Sequence, residues 1–119
     1  SSSLEQVKSM GKAIESLELV EKGRIALLHL SEEEMNTANA EEAVNYGLMI
    51  KGVEVTLLLK EERHEHYRVS LRSRADVDVS QVAAAFGGGG HTRASGCRMD
   101  GARQQVAQSL VQEVVAQLG

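Results

Sequence analysis

Val53-Glu54-Val55-Thr56-Leu57-Leu58-Leu59-Lys60-Glu61-Glu62-Arg63-His64-Glu65-His66-Tyr67-Arg68-Val69-Ser70-Leu71-Arg72-Ser73-Arg74 decides the fold of this chain. Val53 to Lys60 is rich in β-branched and apolar residues and reads as a strand. Glu61 to Glu65 is polar and short enough to be a hairpin loop. Beyond it Tyr67, Val69 and Leu71 alternate with Arg68, Ser70 and Arg72, and this period of two sends the first set to a core and the second to the opposite face. Arg74 continues the phase of the arginines.

Elements of the other period flank this hairpin. Leu4, Val7, Met10, Gly11, Ile14 and Leu17 recur at three- and four-residue intervals, which predicts an opening helix over 4–19. Arg24 to Leu30 is nearly all apolar and of strand length, as expected of a strand covered on both faces, with His29 a satisfied core residue. Ser31 followed by Glu32, Glu33 and Glu34 is a capping box that starts a short helix, and a second helical stretch runs from about Asn39 to Ile50. Downstream, Ser80 caps a short helix, Gln81 to Phe86, that ends at Gly87. Gly96 to Met99 reads as a short last strand, and Ala102, Val106, Leu110, Val111, Val114 and Leu118 form the stripe of a closing helix. The order predicts one α+β (α/β) domain over 1–119: a mixed sheet of about four to five strands with helices packed on it.

Composition agrees with that scale. The chain has 119 residues, 42% hydrophobic and 25% charged, which suits one soluble core and excludes wholesale disorder. Ser1–Ser3 read as a remnant of cloning, and the N-terminus lacks the pattern of a secretory signal. No apolar run reaches the roughly 20 residues of a membrane span. The single cysteine, Cys97, makes no intrachain disulfide and fits a reducing, cytoplasmic setting. Net charge is −4, yet residues 60–103 carry 8 Lys/Arg against 6 Asp/Glu, so the positive excess sits in one central stretch.

The chemistry concentrates in Phe86-Gly87-Gly88-Gly89-Gly90-His91-Thr92-Arg93-Ala94-Ser95-Gly96. Each glycine fixed in a folded segment costs about 0.5–1 kcal/mol relative to alanine, so four in a row need a reason. Backbone without side chains lets amides approach a ligand, and consecutive N–H groups make an anion pocket. A flexible linker and a tight packing turn are the alternatives. His91 at the end of the run suits a phosphate oxygen or a base. Ser70, Arg72 and Arg74 share a strand face on which two guanidinium forks suit bidentate phosphate contacts, with a plain solvated face as the alternative. Other groups are weaker. His64 and His66 form a pair without a third metal ligand, Asp76 and Asp78 read equally well as turn residues, and Cys97 resembles a small core residue more than a nucleophile. Tyr46, Tyr67 and Phe86 are too few aromatics for a stacking platform. No catalytic constellation is recognisable.

Val53, Ser70-Leu71-Arg72-Ser73, Val77-Asp78-Val79-Ser80, Ala83 and Phe86 to His91 followed by Ala94-Ser95-Gly96 together resemble the C-terminal DHH-associated domain of DHH-family phosphoesterases. The resemblance runs from about residue 20 onward and is strongest to the nanoRNase/pAp-phosphatase and cyclic-di-AMP phosphodiesterase branch. It implies a two-domain enzyme whose N-terminal DHH domain carries an Asp-His-His motif and manganese, while the associated domain grips the substrate. That motif is absent from this sequence, so the expectation is a substrate-binding domain with no catalytic or metal residues of its own. By resemblance, Gly88, Gly89, Gly90 and His91 contact phosphate or base beside Arg72 and Ser73, with Ser70, Arg74, Thr92 and Arg93 as further candidates. The implied ligands are short oligonucleotides, nucleotide bisphosphates such as pAp, or cyclic dinucleotides, and the implied partners are the N-terminal DHH domain and, in a homodimer, a second copy. Two other classes stay open: a single-stranded nucleic-acid-binding module like those of single-strand exonucleases or the C-terminal domain of alanyl-tRNA synthetase, and a structural or dimerisation domain.

Overall fold

The computed structural model describes residues 2–35 and 37–119; Ser1 lies outside the described residues. The elements in order are α1 (Leu4–Glu15), β1 (Glu18–Val20), β2 (Ile25–Leu30), a 3-10 turn (Glu32–Glu34), α2 (Thr37–Leu48), β3 (Val55–Arg63), β4 (His66–Ser73), α3 (Val79–Ala84), β5 (Gly89–His91), β6 (Ala94–Asp100) and α4 (Arg103–Val115). The six strands form one mixed sheet in the order β1-β2-β3-β4-β6-β5, with β2 and β3 parallel across the α2 crossover and every other pair antiparallel.

The α+β architecture is the expected one, and the sheet has more strands than the four to five anticipated. The opening helix stops at Glu15 instead of 19, because Glu18–Val20 pairs with β2 as an edge strand. Ser3 caps α1 in a reciprocal box with Gln6, and Ser31 and Glu34 do the same for the 3-10 turn. Both strands of the hairpin run longer than their sequence signal, so the turn shrinks to His64-Glu65 with a bulge between Glu61 and Arg63. The cap of α3 is Asp78, whose side chain accepts from the Ser80 N–H, and not Ser80 itself. The fifth strand was hidden inside the glycine run.

The sheet has two apolar faces, each made by alternate residues. On one, Ile25, Leu27, Val55, Leu57, Leu59, Val69 and Leu71 pack with Val79 and Val82 of α3 and Val106, Leu110 and Val114 of α4. On the other, Ala26, Leu28, Leu30 and Leu58 pack against Ala13 of α1 and Ala43 and Val44 of α2. Gly47 lets α2 come close, since a Cβ there would stand 2.7 Å from the Thr56 Cγ2 and 3.2 Å from the Ala26 Cβ. This second layer of helices covers β2 and β3 and reaches β4 only at its near side, where Glu41 meets Ser70 and Arg72. The rest of β4 and the β6-β5 side of the same face are left uncovered, and α2 walls one side of the resulting cleft. Among the described residues no helix is long and apolar enough to cross a membrane.

Candidate anion-binding cleft

Antiparallel register brings residues of neighbouring strands abreast on one face. Arg72 lies opposite Thr56 and Ala94, Ser70 opposite Leu58 and Gly96, and Arg68 opposite Lys60 and Arg98. Gly89 is opposite Gly96, and His91 is opposite Ala94. These rows form the floor of a cleft of about 620 Å³, closed on one side by Glu41 of α2 and on the other by Phe86 and the glycines. Its floor is flat because Ala94, Gly96 and Gly89 carry almost no side chain.

The glycines have separate reasons. Gly87 takes a left-handed conformation, φ +79°, and ends α3: its N–H donates to Ala84 and the Gly88 N–H donates to Ala83 at 2.9 Å, a Schellman closure. Gly88 packs on β6, where a Cβ would stand 2.6 Å from the Cys97 Cβ and 2.8 Å from its Cα. Gly90, at φ +145°, would bring a Cβ within 2.7 Å of the Ala94 carbonyl. Only Gly89 faces open space within the paired strand, where an added Cβ meets nothing within 4 Å. The run therefore serves both packing and the open floor.

Glu41 organises the inner wall. Its Oε1 accepts from Lys60 Nζ and from Ser70 Oγ at 2.9 Å, and its Oε2 lies 3.5 Å from the Arg72 guanidinium. Arg72 also donates to the Leu71 carbonyl at 2.9 Å, which holds its fork against the sheet. Lys60 is 1% exposed. Burial lowers its ammonium pKa, and the hydrogen bond and charge of Glu41 oppose that shift without cancelling it. Burial pushes the Glu41 carboxyl up, yet the hydrogen bonds from Lys60 and Ser70 and the charges of Lys60 and Arg72 outweigh it and hold it below the usual carboxylate range. The two side chains make a salt bridge. The cleft then carries Lys60, Arg68, Arg72 and Arg98 against Glu41, a positive site on a negative chain.

The candidates named from sequence divide clearly. Ser70, Arg72, Gly88, Gly89 and Gly90 line the cleft. Ser73 does not: it is buried on the opposite face, where its hydroxyl donates to the Val77 carbonyl at 2.7 Å and meets the Thr92 carbonyl at 3.2 Å, tying the β4 end to the β5–β6 turn. Arg93 donates to the same Val77 carbonyl at 2.6 Å, and Thr92 accepts from the Val79 N–H, so both hold the turn. Arg74 lies past the end of β4 and donates to the Leu48 carbonyl, outside the cleft. His91 shares the cleft's face by register but stands exposed beyond the lining residues, its carbonyl accepting from Ser95 Oγ at 2.7 Å. His29, expected to be satisfied, has a buried Nδ1 with no hydrogen-bond partner among the described residues. Burial and the nearby Arg103 charge lower its pKa. Cys97 borders the cleft, but burial pushes its thiol up to about 11, which rules out a thiolate nucleophile at neutral pH.

Sequence reasoning missed Glu41, Lys60, Arg68 and Arg98 as cleft residues. Arg68 shared the parity of Ser70 and Arg72 and was legible on that ground. Lys60 looked like the polar end of an apolar strand, and neither Glu41 nor Arg98 carries a local signal. Among the described residues no three His, Cys, Asp or Glu side chains are placed to hold a metal ion.

A half-covered sheet with a cationic, side-chain-poor floor makes this cleft a candidate anion site in an α+β domain. Residues 22–118 match the DHHA1 domain, and the chain belongs to that family. It is 29% identical over 106 residues, 89% of its length, to the bifunctional oligoribonuclease and PAP phosphatase NrnA of Thermus thermophilus, of which it covers 32%. It is 61% identical over 31 residues to oligoribonuclease NrnB of Bacillus subtilis, a match to 25% of this chain and 8% of that relative. The fold superposes on an exopolyphosphatase-related protein from Bacteroides fragilis with TM-score 0.86 and 28% identity, covering 98% of this chain and 36% of that one. A pGpG-specific phosphodiesterase, PggH of Vibrio cholerae, shares the fold at TM-score 0.67 and 16% identity, covering 95% of this chain and 40% of that one. The chain thus spans about a third of NrnA and of the Bacteroides protein.

Proposed function

We propose that this domain is the substrate-gripping part of a DHH-family phosphoesterase and binds a phosphorylated nucleotide or short oligonucleotide in the β4-β6-β5 cleft. The observation that carries the reading is the Arg72 fork beside Ser70 over the bare backbone of Gly96 and Gly89. Guanidinium groups suit bidentate phosphate contacts, and a flat floor admits a sugar or base where side chains would exclude it. The similarity to an oligoribonuclease and PAP phosphatase supports the same class of ligand. His91, Thr92 and Arg93 belong to the hairpin that positions Gly89, and Ser73 anchors that hairpin from below.

Hydrolysis would be the work of an N-terminal DHH domain with manganese. The described residues of this chain offer that ion no ligand set, so none of its chemistry is assigned to them. The contribution of the domain is orientation: a non-reacting phosphate held in register lowers the barrier elsewhere in the substrate, and misplacement forfeits that gain.

The test is amide chemical-shift mapping of the 119-residue chain during titration with adenosine 3′,5′-bisphosphate. Coincident shifts at Ser70, Arg72, Gly89 and Gly96 are expected. Shifts confined to the opposite face, around His29 and α4, would refute the assignment.

A further inference from the structure

The face of the sheet that carries α3 and α4 is also incompletely covered. Register places Glu18 beside Leu27, Val20 beside Ile25 and His29 beside Leu59, all with the parity of that face. Helix α4 rests over β3, and between it and the β1-β2 side lies a second cavity of about 750 Å³. It shares no lining residue with the anion cleft among the described residues and lies on the other side of the sheet.

The cavity is amphipathic. Val20, Leu27, Leu59 and Val111 make an apolar floor. Gln104, Gln108 and Gln112 are four residues apart, so one flank of α4 lines the rim with three exposed carboxamides, each offering both donors and an acceptor. The charged groups are Glu18 and Glu21 against Arg103, the reverse of the balance in the cleft, and they disfavour phosphate.

His29 gives this cavity a directional group. Its ring lines the wall, yet its Nδ1 is shut in with no hydrogen-bond partner among the described residues. Burial and then the Arg103 charge favour the neutral ring, in which one nitrogen donates and the other accepts. A half-turn about χ2, between the two broad wells of that torsion, exchanges Nδ1 with Cδ2 and brings the nitrogen out of its closed corner. An orphaned polar atom is costly, and a ligand that met it would recover that cost.

We infer that this cavity is a second ligand site and that it takes an uncharged, flat nitrogen heterocycle, its ring lying on Val20 and Leu27 and its edge bonded by His29 and the glutamines of α4. The apolar floor suits the ring, and the mixed donors and acceptors suit an edge that carries both. The volume is in the range of small-molecule sites. The acidic side of the rim selects against phosphorylated forms. The site is independent of the proposed function: neither needs the other.

The test titrates the 119-residue chain with free adenine, an uncharged heterocycle with donors and acceptors on its edge, and follows backbone amides and the His29 ring nitrogens by NMR. Shifts at Leu27, Gln108 and Val111 together with a displaced His29 ring-nitrogen resonance are expected. His29→Leu should weaken adenine binding about fivefold, the loss of one hydrogen bond. His29→Asn, which keeps a donor and an acceptor near the position of Nδ1, should recover part of it. Gln108→Ala alters an exposed side chain, so folding is not at stake, and it should weaken binding by a smaller factor. Adenosine 5′-monophosphate should occupy this cavity at least about fivefold more weakly than adenine. Shifts confined to the cleft, an affinity unmoved by both His29→Leu and Gln108→Ala, or equal affinity for the monophosphate overturns the assignment. So does a response of these residues to spermidine but not to adenine, which would make the cavity a site for organic cations. None of these outcomes touches the Arg72 site, whose own titration decides it separately.

Discussion

Glu41 on α2 and Lys60 on β3 form an ion pair in which the lysine side chain is shut away from solvent while the glutamate side chain stays about one-third exposed. The asymmetry fixes what each partner does. Lys60 cannot be buried charged without Glu41, and Glu41 can in turn face Ser70 and Arg72 across the cleft. One carboxylate thus links the docking of α2 to the arrangement of the candidate site.

Glu41→Gln should therefore destabilise the fold by about 1–3 kcal/mol, the usual penalty of leaving a buried polar group poorly satisfied. The value falls short of that for a fully buried pair because the Glu41 side chain is about one-third exposed. Chemical denaturation measures it. The pH dependence has a definite sign: with its folded pKa below the ordinary 4.5, Glu41 contributes stability that is fully present above that value and is lost as pH falls through the folded pKa. The acid limb of the stability curve should be shallower in Glu41→Gln than in the unaltered chain.

The glycine run separates packing from binding within three residues. Gly88→Ala forces a Cβ into the Cys97 backbone and should cost at least about 1–3 kcal/mol, as overpacking does. Gly89→Ala meets no atom within 4 Å and should leave stability within about 0.5 kcal/mol. It places a methyl on the floor of the cleft, so its effect should appear in ligand titration and not in the melting curve. Equal destabilisation by the two substitutions would mean that the run exists for packing alone.

These contrasts also mark what the sequence could reveal. The hairpin was legible because strict alternation over Tyr67 to Arg72 leaves one reading, and α4 because its stripe repeats over three turns. Strand β1 was not, since the apolar helical stripe runs to Leu17 and only pairing with β2 draws Glu18–Val20 out of it. Strand β5 has two glycines in three exposed positions and no propensity of its own; its pairing with β6 makes it a strand. Arg72 and Ser70 could be placed on one face by counting, whereas Arg98 joins them only through the β4–β6 register and Glu41 only through the docking of α2. Ser73 misled because its parity, counted correctly, put it opposite Arg72.

Ser73 supports the hairpin instead of the ligand, and that distinction is measurable. Ser73→Ala leaves the Val77 and Thr92 carbonyls short of a hydroxyl donor inside the fold and should cost about 1–2 kcal/mol. Amide hydrogen exchange should rise at Thr92 to Ala94, the turn it ties down, before it rises in β3. A residue that touched ligand directly would instead weaken binding with exchange unchanged.

His29 sets a second pH limit, opposite in cause to that of Glu41. Its Nδ1 is buried without a partner among the described residues, and burial with the Arg103 charge holds its pKa below the ordinary 6.5. Folding thus favours the neutral ring. Stability should be undiminished above pH 6.5 and fall as the pH drops from there toward the folded pKa, because the unfolded chain takes up the proton first. His29→Leu removes the orphaned nitrogen and the titration together, and should raise stability at neutral pH by about 1 kcal/mol while abolishing this limb. Imidazole resonances followed by NMR against pH provide the check: a His29 midpoint at or above 6.5 would show that the ring finds a partner for its charged form, and the predicted gain for leucine would then disappear.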